Sequence, residues 1–313
     1  MVAINICHHL TQGLHNDAVV LANVLSVHDI TETTYSEIDL ISGRHNNQVE
    51  PFDVVIFLEH IHKAYISCAP VRLFFPNIEW LNKIDVALMQ HMTTICCKTH
   101  HAIEYLSDKA SNLVYTGFSS ITRSPIQDSA WEALECIHVM GVSKMKNTQL
   151  VVDTWLQEPQ WPTLHVVYSA PIVIQDPIKV ASNVVFHQRK LKDDELDALQ
   201  QRCAIHVCPS ACEGFGHYLN EGRSSGACII TTDAPPMNEL VDNTSGVLVH
   251  CENSHYINRI QLHSPSVTAL REAIESALKS GQILQKLGDQ ARLRYTSDTL
   301  AFEKNMLSMI NGQ

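Results

Sequence analysis

Two carboxylates flank a pair of glycines in the segment with the clearest capacity for chemistry, residues 209–221. Glu213 stands directly before Gly214, and a helix that carries Glu221 is expected to follow Gly216. Glycines permit a tight turn with exposed backbone N–H groups, and the helix beyond presents its positive dipole end. Such a turn suits a diphosphate, although an ordinary loop has the same composition. Because Glu221 falls inside the helix, each carboxylate is expected to meet a different part of one extended ligand.

Short apolar runs alternate with helical patterns along the chain, which predicts parallel sheets covered by helices. In the N-terminal half, strands are predicted at residues 2–6, 53–58, 71–75, 93–97 and 112–116. A loop is predicted at residues 11–15, and Asp17 is expected to cap a helix over residues 18–25.

The C-terminal half repeats this alternation. Strands are predicted at residues 136–140, 164–168, 183–186, 205–208, 228–232 and 247–250. Helices are predicted at residues 148–156, 193–201, 219–225, 266–280 and 282–309. The fold class is therefore α/β, with two Rossmann-like doubly wound domains facing across a cleft. A ligand is expected in that cleft, at the carboxyl ends of the strands.

The sequence resembles retaining glycosyltransferases with the GT-B fold, specifically the family-four-like (group 1) set. Glu213 and Glu221 match the Glu-x7-Glu signature of that set. Further matches lie at residues 208–210, 226–230, 233–241 and 246–249, and the resemblance is dense over residues 136–250. In the N-terminal half, residues 76–80, 98–99 and 116–120 look similar to a branch frequent in viral and bacterial surface-sugar gene sets.

The alternation predicts two halves with a seam near residues 119–130, which have a linker composition, and the resemblance implies a role for each half. Residues 1–125 form an acceptor-side domain, and residues 126–290 form a domain that binds the nucleotide sugar. Residues 291–313 form a C-terminal helix that could pack back toward the first domain.

The resemblance also implies roles for the residues of the turn. The second glutamate of the signature, Glu221, binds the ribose hydroxyls of the donor, and Glu213 lies by the donor sugar as the catalytic carboxylate. The backbone amides of Gly214, Phe215 and Gly216 hold phosphate or sugar hydroxyls.

A basic pair on the diphosphate is a further feature of the family, and here the match is incomplete. Lys146 matches the second basic position, but Val142 occupies the first. That departure weakens the diphosphate site or moves the task to Lys144, and Ser143 could add a hydroxyl. A solvent-facing role for either lysine remains the alternative.

Other candidate ligands of the donor and acceptor follow from position. His187 ends the strand where relatives hold the base, largely by main chain, and Gly13 matches a glycine that approaches the donor phosphates. Acceptor candidates are Glu59 and His60, which follow a predicted strand at its carboxyl end, and Lys98. His62 and the residues around Asn77 share that status.

Composition limits the partners. The formal net charge is −11, and residues 1–128 hold seven Lys or Arg against thirteen Asp or Glu. This balance disfavours nucleic acid and anionic lipid surfaces, so a soluble glycan or glycoconjugate is the expected acceptor. No apolar run approaches the ~20 residues of a membrane span, and no secretory signal is evident, which predicts a cytoplasmic protein, or host cytoplasm if viral.

Metal chemistry is not implied by local spacing. The expected donor is a UDP- or GDP-linked sugar. No Asp-x-Asp triplet occurs, so its diphosphate is expected to bind without a divalent metal, and no bound cofactor is expected. Ten cysteines and eighteen histidines leave zinc as an alternative, but no four-ligand set arises from neighbouring positions. The cysteines are interpreted as reduced thiols.

The predicted function is transfer of a hexose from a nucleotide diphosphate sugar to an acceptor hydroxyl, with retention of configuration. Two alternatives stay open. One is an epimerase or phosphorylase on the same fold, and the other is a catalytically silent subunit that binds sugar nucleotides.

Overall fold

The computed structural model describes residues 3–9, 11–27, 32–38, 51–169, 182–252, 254–257 and 260–311. It divides the chain into two compact units. Unit 1 comprises residues 1–121 and 298–313, and unit 2 comprises residues 122–297.

Unit 1 is built on one parallel sheet with the strand order β2-β1-β3-β4-β5-β6. Its elements are β1 (Ala3–His9), α1 (Gln12–Val27), β2 (Glu32–Ile38), β3 (Val54–Leu58), β4 (Val71–Phe75), α2 (Lys83–Leu88), β5 (Thr94–Cys97), α3 (His100–Leu106) and β6 (Leu113–Tyr115). The central strand β3 is buried at every position, as a sheet covered on both faces requires.

Unit 2 carries a second parallel sheet with the order β12-β11-β10-β7-β8-β9. Its elements are α4 (Ala130–Ala133), β7 (Cys136–Gly141), α5 (Thr148–Leu156), β8 (Leu164–Tyr168), β9 (Val184–Gln188), α6 (Asp193–Arg202), β10 (Ile205–Cys208), α7 (His217–Ser225), β11 (Cys228–Thr232), α8 (Met237–Leu240), β12 (Gly246–Val249), the antiparallel pair β13 (Ser254–Ile257) and β14 (Ile260–His263), and α9 (Val267–Leu278).

One long helix, α10 (Gly281–Asn311), begins in unit 2 and ends in unit 1. Its last turns belong to the core of unit 1, where the ring of Phe302 lies 4.8 Å from that of Phe118. The Asn305 side chain also donates to the Thr116 carbonyl at 3.1 Å. Among the described residues, no helix is long and apolar enough to cross a membrane.

Two parallel sheets flanked by helices confirm the predicted α/β class with Rossmann-like halves. The strand order of unit 2 matches the dinucleotide-binding arrangement, in which successive strands are added in opposite directions along the sheet from two adjacent strands, here β7 and β10. In unit 1 the reversal lies between β1 and β3. At such a switch point the loops separate and leave room for a ligand.

The beginning of α1 corrects one prediction. The helix starts at Gln12, so residues 12–15 are helical rather than a loop, and Asp17 lies inside the helix rather than at its cap. Thr11 supplies the cap, because its hydroxyl oxygen and its carbonyl accept from the N–H groups of Leu14 and His15 at 3.4 and 2.9 Å. Gly13 consequently lies in the first turn of α1.

Candidate functional site

The loops after β7 and β10 meet at the switch point of unit 2. Lys146 follows β7 and Glu213 follows β10, and the Lys146 Nζ lies 2.5 Å from the Glu213 Oε1. The two side chains are only 13% and 12% exposed, so most of their hydration is lost while one side remains open. The structure thus joins two predicted site residues that are 67 positions apart in the chain.

Ser210 and Tyr218 complete this arrangement, and we call Lys146, Glu213, Ser210 and Tyr218 the unit 2 cluster. The Ser210 hydroxyl donates to the Glu213 Oε1 at 2.5 Å and is in turn hydrogen-bonded to the Tyr218 hydroxyl. Burial raises the pKa of the Tyr218 phenol well above its ordinary range, so the phenol keeps its proton. The Lys146 Nζ stands 3.4 Å above the centre of the Tyr218 ring, a cation–π contact.

Backbone geometry places the glycine turn at the start of α7. Gly216 is the residue before the helix and has a φ of 101°, a conformation that favours glycine. A Cβ there would stand 3.1 Å from a Leu219 methyl and 3.3 Å from a Leu240 methyl. Phe215 is buried with 4% exposure, so its ring belongs to the core and only its main chain is available to a ligand.

The loop after β7 sorts its residues into inward and outward positions. Val142 is 72% exposed, and Lys144 is exposed as well. Ser143 begins a short 3₁₀ turn, Lys144–Lys146, by accepting the Met145 N–H at 3.3 Å. That turn directs Lys146 inward and Lys144 outward, and thereby separates the two lysines that the sequence left as alternatives.

Two hydrogen bonds fasten this loop to the loop after β10. The Asn147 side chain donates to the Pro209 carbonyl at 2.7 Å, and the Ala211 N–H donates to the Met145 carbonyl at 2.8 Å. These bonds hold the loops of Lys146 and Glu213 in a fixed relation. Asn147 was not predicted as a site residue, because its amide acts on a distant backbone carbonyl and not through a local motif.

Glu221 lies in the second turn of α7 and is 7% exposed. Its Oε2 is 3.2 Å from the Arg123 Nη2 and accepts from the Gln200 amide at 3.2 Å. Arg123 is buried too, and its backbone N–H donates to the Ser224 hydroxyl at 2.9 Å. The charge of the buried carboxylate is therefore compensated within unit 2.

The His187 side chain contacts His165 of the neighbouring strand β8. The His187 Nε2 lies 3.1 Å from the His165 Nδ1. Burial lowers the pKa of both imidazoles below the ordinary value, which favours their neutral forms. The contact of the His187 main chain with a nucleotide base stays a prediction.

In unit 1, polar side chains from five elements form a continuous chain of contacts, the unit 1 network. The Lys98 ammonium donates to Asp17 at 2.7 Å and to the side-chain Oδ1 of Asn77 at 3.1 Å, and the side-chain amide of Asn77 donates to Glu59 at 2.8 Å. The network consists of Asp17, Lys98, Asn77, Glu59, His60 and Asp85.

At its other end the network holds His60. The His60 Nδ1 lies 2.8 Å from Asp85, and its Nε2 lies 3.7 Å from Glu59. The hydrogen bond to Asp85 raises the pKa of the imidazole above its ordinary value. Glu59 has a φ of 66°, an uncommon left-handed conformation for a non-glycine residue, at the point where β3 ends.

Gly13 is predicted to approach the donor phosphates and Lys98 to contact the acceptor, and the two residues differ in their surroundings. Gly13 is exposed in the first turn of α1, and a Cβ there would meet nothing within 4 Å. Packing within the described residues therefore does not require glycine at this position. The Lys98 side chain is 2% exposed and lies 4.6 Å from the centre of the Phe118 ring, so it is enclosed by its partners.

Sequence reasoning missed Arg123, Asp85, Ser210 and Tyr218 as members of these clusters. Arg123 and Asp85 reach these clusters from distant elements, so no local motif reveals them. Ser210 lies three positions before Glu213 and eight before Tyr218, and the helical period of α7 is the signal that could reveal Tyr218.

Comparison with known proteins supports the assignment of the second half. Residues 178–294 match the family model for Glycosyl transferases group 1. No curated protein sequence matches the chain.

Solved structures match the whole chain in fold. HepE of Anabaena, in complex with UDP and glucose, is 11% identical with a TM-score of 0.71, and each chain covers 100% of the other. Sucrose-phosphate synthase of Thermosynechococcus elongatus is 12% identical with a TM-score of 0.72, and the match covers 100% of this chain and 99% of that one. A glycosyltransferase of Rickettsia africae is 12% identical with a TM-score of 0.68, covering 99% and 98% of the two chains.

At these identities the likeness shows the fold. The chain therefore has the GT-B fold, and residues 178–294 carry a match to group 1 glycosyl transferases.

Proposed function

We propose that the chain is a retaining glycosyltransferase that moves a hexose from a nucleotide diphosphate sugar to an acceptor hydroxyl. The observation that carries this proposal is the contact of Lys146 with Glu213 at the switch point between β7 and β10. Lys146 lies outside the segment that matches the family, yet its ammonium touches the first glutamate of the signature inside it. Two independent parts of the chain thus supply complementary groups to one place.

Lys146 is assigned to the donor diphosphate. A nucleoside diphosphate leaves readily once its developing negative charge is neutralised, and an ammonium beside a helix N-terminus serves that purpose. Without donor, Glu213 is the anion paired with Lys146. When the donor binds, its diphosphate replaces Glu213 as the partner of the Lys146 ammonium. The diphosphate also accepts hydrogen bonds from the backbone amides of Gly214, Phe215 and Gly216 at the start of α7.

Glu213 is assigned to the donor sugar. Its carboxylate keeps the hydroxyl of Ser210 as a hydrogen-bond donor when Lys146 turns to the diphosphate. As the bond from the anomeric carbon to the phosphate oxygen breaks, positive charge develops on the sugar. A fixed carboxylate stabilises that charge more than it stabilises the ground state, and this difference accelerates the reaction. The acceptor oxygen then bonds to the anomeric carbon on the same face, its hydroxyl proton passes to the departing phosphate oxygen, and the configuration is retained.

Glu221 is assigned to the ribose hydroxyls. Because Arg123 and Gln200 both contact its Oε2, the carboxylate is held in one orientation, and we assign Oε1 to the ribose. Ser143 remains a candidate for a phosphate contact, His187 for the base through its main chain, and Gly13 for the donor phosphates.

The donor base is proposed to be uracil. HepE was solved with UDP-glucose, and the pneumococcal O-GlcNAc transferase GtfA, 15% identical with a TM-score of 0.65, was solved with UDP and GlcNAc. These neighbours support a UDP-linked donor over a GDP-linked one. Added divalent metal is not required in this proposal, since Lys146 and the amides neutralise the diphosphate.

Acceptor binding is proposed for the open end of the unit 1 network. Glu59 and His60 are 14% and 20% exposed and can contact a glycan hydroxyl. Lys98 is enclosed, so we assign it to positioning, because it holds the Asn77 amide that donates to Glu59. Ten free thiols support a reducing compartment, and we propose the cytoplasm.

Slow donor hydrolysis tests the proposal without knowledge of the acceptor. The purified protein is incubated with a panel of UDP- and GDP-linked sugars in the presence and absence of EDTA, and the released sugar is followed by NMR. We expect one UDP-α-sugar to be hydrolysed, with the α-anomer appearing first, in both conditions. Initial release of the β-anomer would contradict retention, and binding without any turnover would favour the silent subunit.

A further inference from the structure

Three side chains of different chemistry converge at the opposite end of the unit 2 sheet from the unit 2 cluster. Glu135 stands directly before β7, His165 is the second residue of β8, and Cys203 follows α6. One ligand atom from each, a carboxylate oxygen, an imidazole nitrogen and the thiol sulfur, lies within 4.8 Å of the others. No other group of this kind was found among the described residues.

The donor set is of the type that zinc prefers. Zn²⁺ binds thiolate, imidazole and carboxylate ligands with four-coordinate geometry, whereas Mg²⁺ and Ca²⁺ select oxygen ligands. His165 and Cys203 are buried, and the Glu135 side chain is 28% exposed. Two ligands therefore sit in a dry environment, and the third borders the solvent from which an ion would enter.

Distances already approach those around a tetrahedral ion. The His165 Nε2 lies 3.3 Å from the Glu135 Oε2. Around tetrahedral zinc, with bonds of ~2.0–2.2 Å to nitrogen and oxygen, two such ligands are about 3.4 Å apart. Only the Cys203 sulfur has to move closer, by about 1.3 Å at most, since the ligand atoms lie within 4.8 Å of one another and a sulfur and a nitrogen ligand around zinc are about 3.5 Å apart.

Outer partners orient two of the ligands. The His165 Nδ1 lies 3.1 Å from the His187 Nε2, and a proton on Nδ1 that is donated to His187 leaves the Nε2 lone pair facing Glu135. The Arg202 guanidinium donates to the Glu135 Oε2 at 2.9 Å and holds that carboxylate in place. Metal-binding histidines and carboxylates commonly have such partners.

Buried apolar side chains pack beside the group on the side that faces the protein interior. The core cluster of Ile137, Val167, Leu199 and Cys203 fills the space between the sheet and α6. Since the six-residue strand β7 spans roughly 20 Å, Glu135 before it and Lys146 beyond it are far apart. The group is therefore distinct from the unit 2 cluster, and it adjoins the proposed donor residues only through the His187 side chain.

We propose that Glu135, His165 and Cys203 form a binding site for one zinc ion that ties β7, β8 and the end of α6 together. Water occupies the fourth position, on the exposed side of Glu135. Binding releases the thiol proton of Cys203 to solvent as the sulfur–metal bond forms, and no electron is transferred. The ion has a structural role, independent of the proposed transfer reaction.

Cobalt(II) titration of the metal-stripped full-length chain tests this proposal, because a thiolate ligand gives Co²⁺ a characteristic charge-transfer absorption. Eighteen histidines could bind metal weakly elsewhere, but such binding lacks that band. We expect the band to saturate at one equivalent and to disappear on addition of one equivalent of Zn²⁺. Zinc should also raise the temperature of unfolding.

Three variants distinguish this site from other thiols. Cys203→Ser should abolish the band, and Glu135→Gln should weaken metal affinity at least ~10-fold, the scale of disturbing a metal-site residue. Cys251→Ser, a matched control in a partly buried thiol elsewhere, should behave as the wild type. Should Cys203→Ser fail to fold, Glu135→Gln at the exposed ligand decides. A wild type without the band, or Glu135→Gln with unchanged affinity, would overturn the proposal.

Discussion

The two units repeat a parallel sheet but differ in how they treat a lysine at the carboxyl ends of its strands. In unit 1 the side chains of Lys98 and Asp17 are 2% and 3% exposed, and the ammonium also binds Asn77. In unit 2 the side chains of Lys146 and Glu213 are 13% and 12% exposed, beside the N-terminus of α7. The ion pair of Lys98 and Asp17 is excluded from solvent, whereas the ion pair of Lys146 and Glu213 remains partly exposed to it.

That difference separates a structural ion pair from an exchangeable one. Two charges buried together depend on each other, because either one alone would lose its hydration without compensation. In a partly exposed pair, an incoming anion can replace the carboxylate with a smaller loss of free energy, because the displaced group can regain hydration. We therefore expect loss of Asp17 to act on stability and loss of Glu213 to act on catalysis.

The largest effect is expected from Asp17→Asn, which leaves the Lys98 charge buried without its counter-ion. The free energy of unfolding should fall by about 3–5 kcal/mol, measured by denaturant titration. Asp108→Asn removes the partner of Lys109 at the surface and should leave stability unchanged. A double variant, Asp17→Leu with Lys98→Met, should recover most of the loss. Equal free energies of unfolding for Asp17→Asn and the wild type would contradict the claim that Asp17 and Lys98 form a structural ion pair.

Glu213→Gln should reduce kcat by ~10²–10³, or about 2.7–4 kcal/mol, the scale of one preorganised electrostatic contact. The substitution keeps the shape and the Ser210 hydrogen bond but removes the charge to which we assign stabilisation of the sugar cation. Steady-state donor hydrolysis measures this, with exposed Glu132→Gln as the control. Nucleotide affinity should remain close to that of the wild type. Loss of nucleotide binding with unchanged kcat would reverse the assignment of the two glutamates.

Histidines should give the two units opposite responses to pH. His138, beneath the unit 2 site, is fully buried between the Val207 carbonyl and the Thr148 hydroxyl, and burial lowers its pKa from 6.5 to about 4. Between those values the unfolded chain binds a proton that the folded chain does not. Stability present above pH 6.5 is thus lost on acidification, by about 2 kcal/mol from pH 7 to 5.

His60 in unit 1 has the opposite sign. Its pKa is raised by the hydrogen bond to Asp85, so its contribution is complete below pH 6.5 and is lost as pH rises through the raised value. Unfolding free energies of His138→Gln and His60→Gln across pH 5–8 measure both effects. We expect the difference from the wild type to grow with rising pH for the first variant and with falling pH for the second. Parallel curves for all three proteins would contradict the assignment.

Strand prediction succeeded where burial on both faces leaves an apolar run with sharp ends. Strands β4, β8, β10 and β11 begin and end at the predicted residues. By contrast, β2 was missed, because the sequence Glu-Thr-Thr-Tyr-Ser-Glu carries few apolar side chains. The pair β13 and β14 was missed for a similar reason. The early start of α1 depends on the Thr11 cap, whereas the sequence favours Asp17 as the cap.

Candidate functional residues can be predicted from the sequence where a local motif carries them. Glu213, Glu221 and the glycines share one turn and helix, and Lys146 follows a strand. Arg123 beside Glu221 could not be predicted, since its position depends on how a connecting segment packs against α7. The same holds for Glu135, His165 and Cys203, whose three elements come together only in the folded sheet.

Nucleotide binding by Lys146→Ala tests the central claim most directly. Calorimetric titration with UDP and with uridine separates diphosphate contacts from nucleoside contacts, and Lys144→Ala, the outward lysine of the same turn, is the matched control. We predict that Lys146→Ala weakens UDP binding about 10- to 100-fold, the value of a charge-assisted hydrogen bond, and leaves uridine binding unchanged. Lys144→Ala should change neither. Equal losses for UDP and uridine, or a UDP affinity unaffected by Lys146→Ala, would contradict the assignment of this cluster to the donor diphosphate.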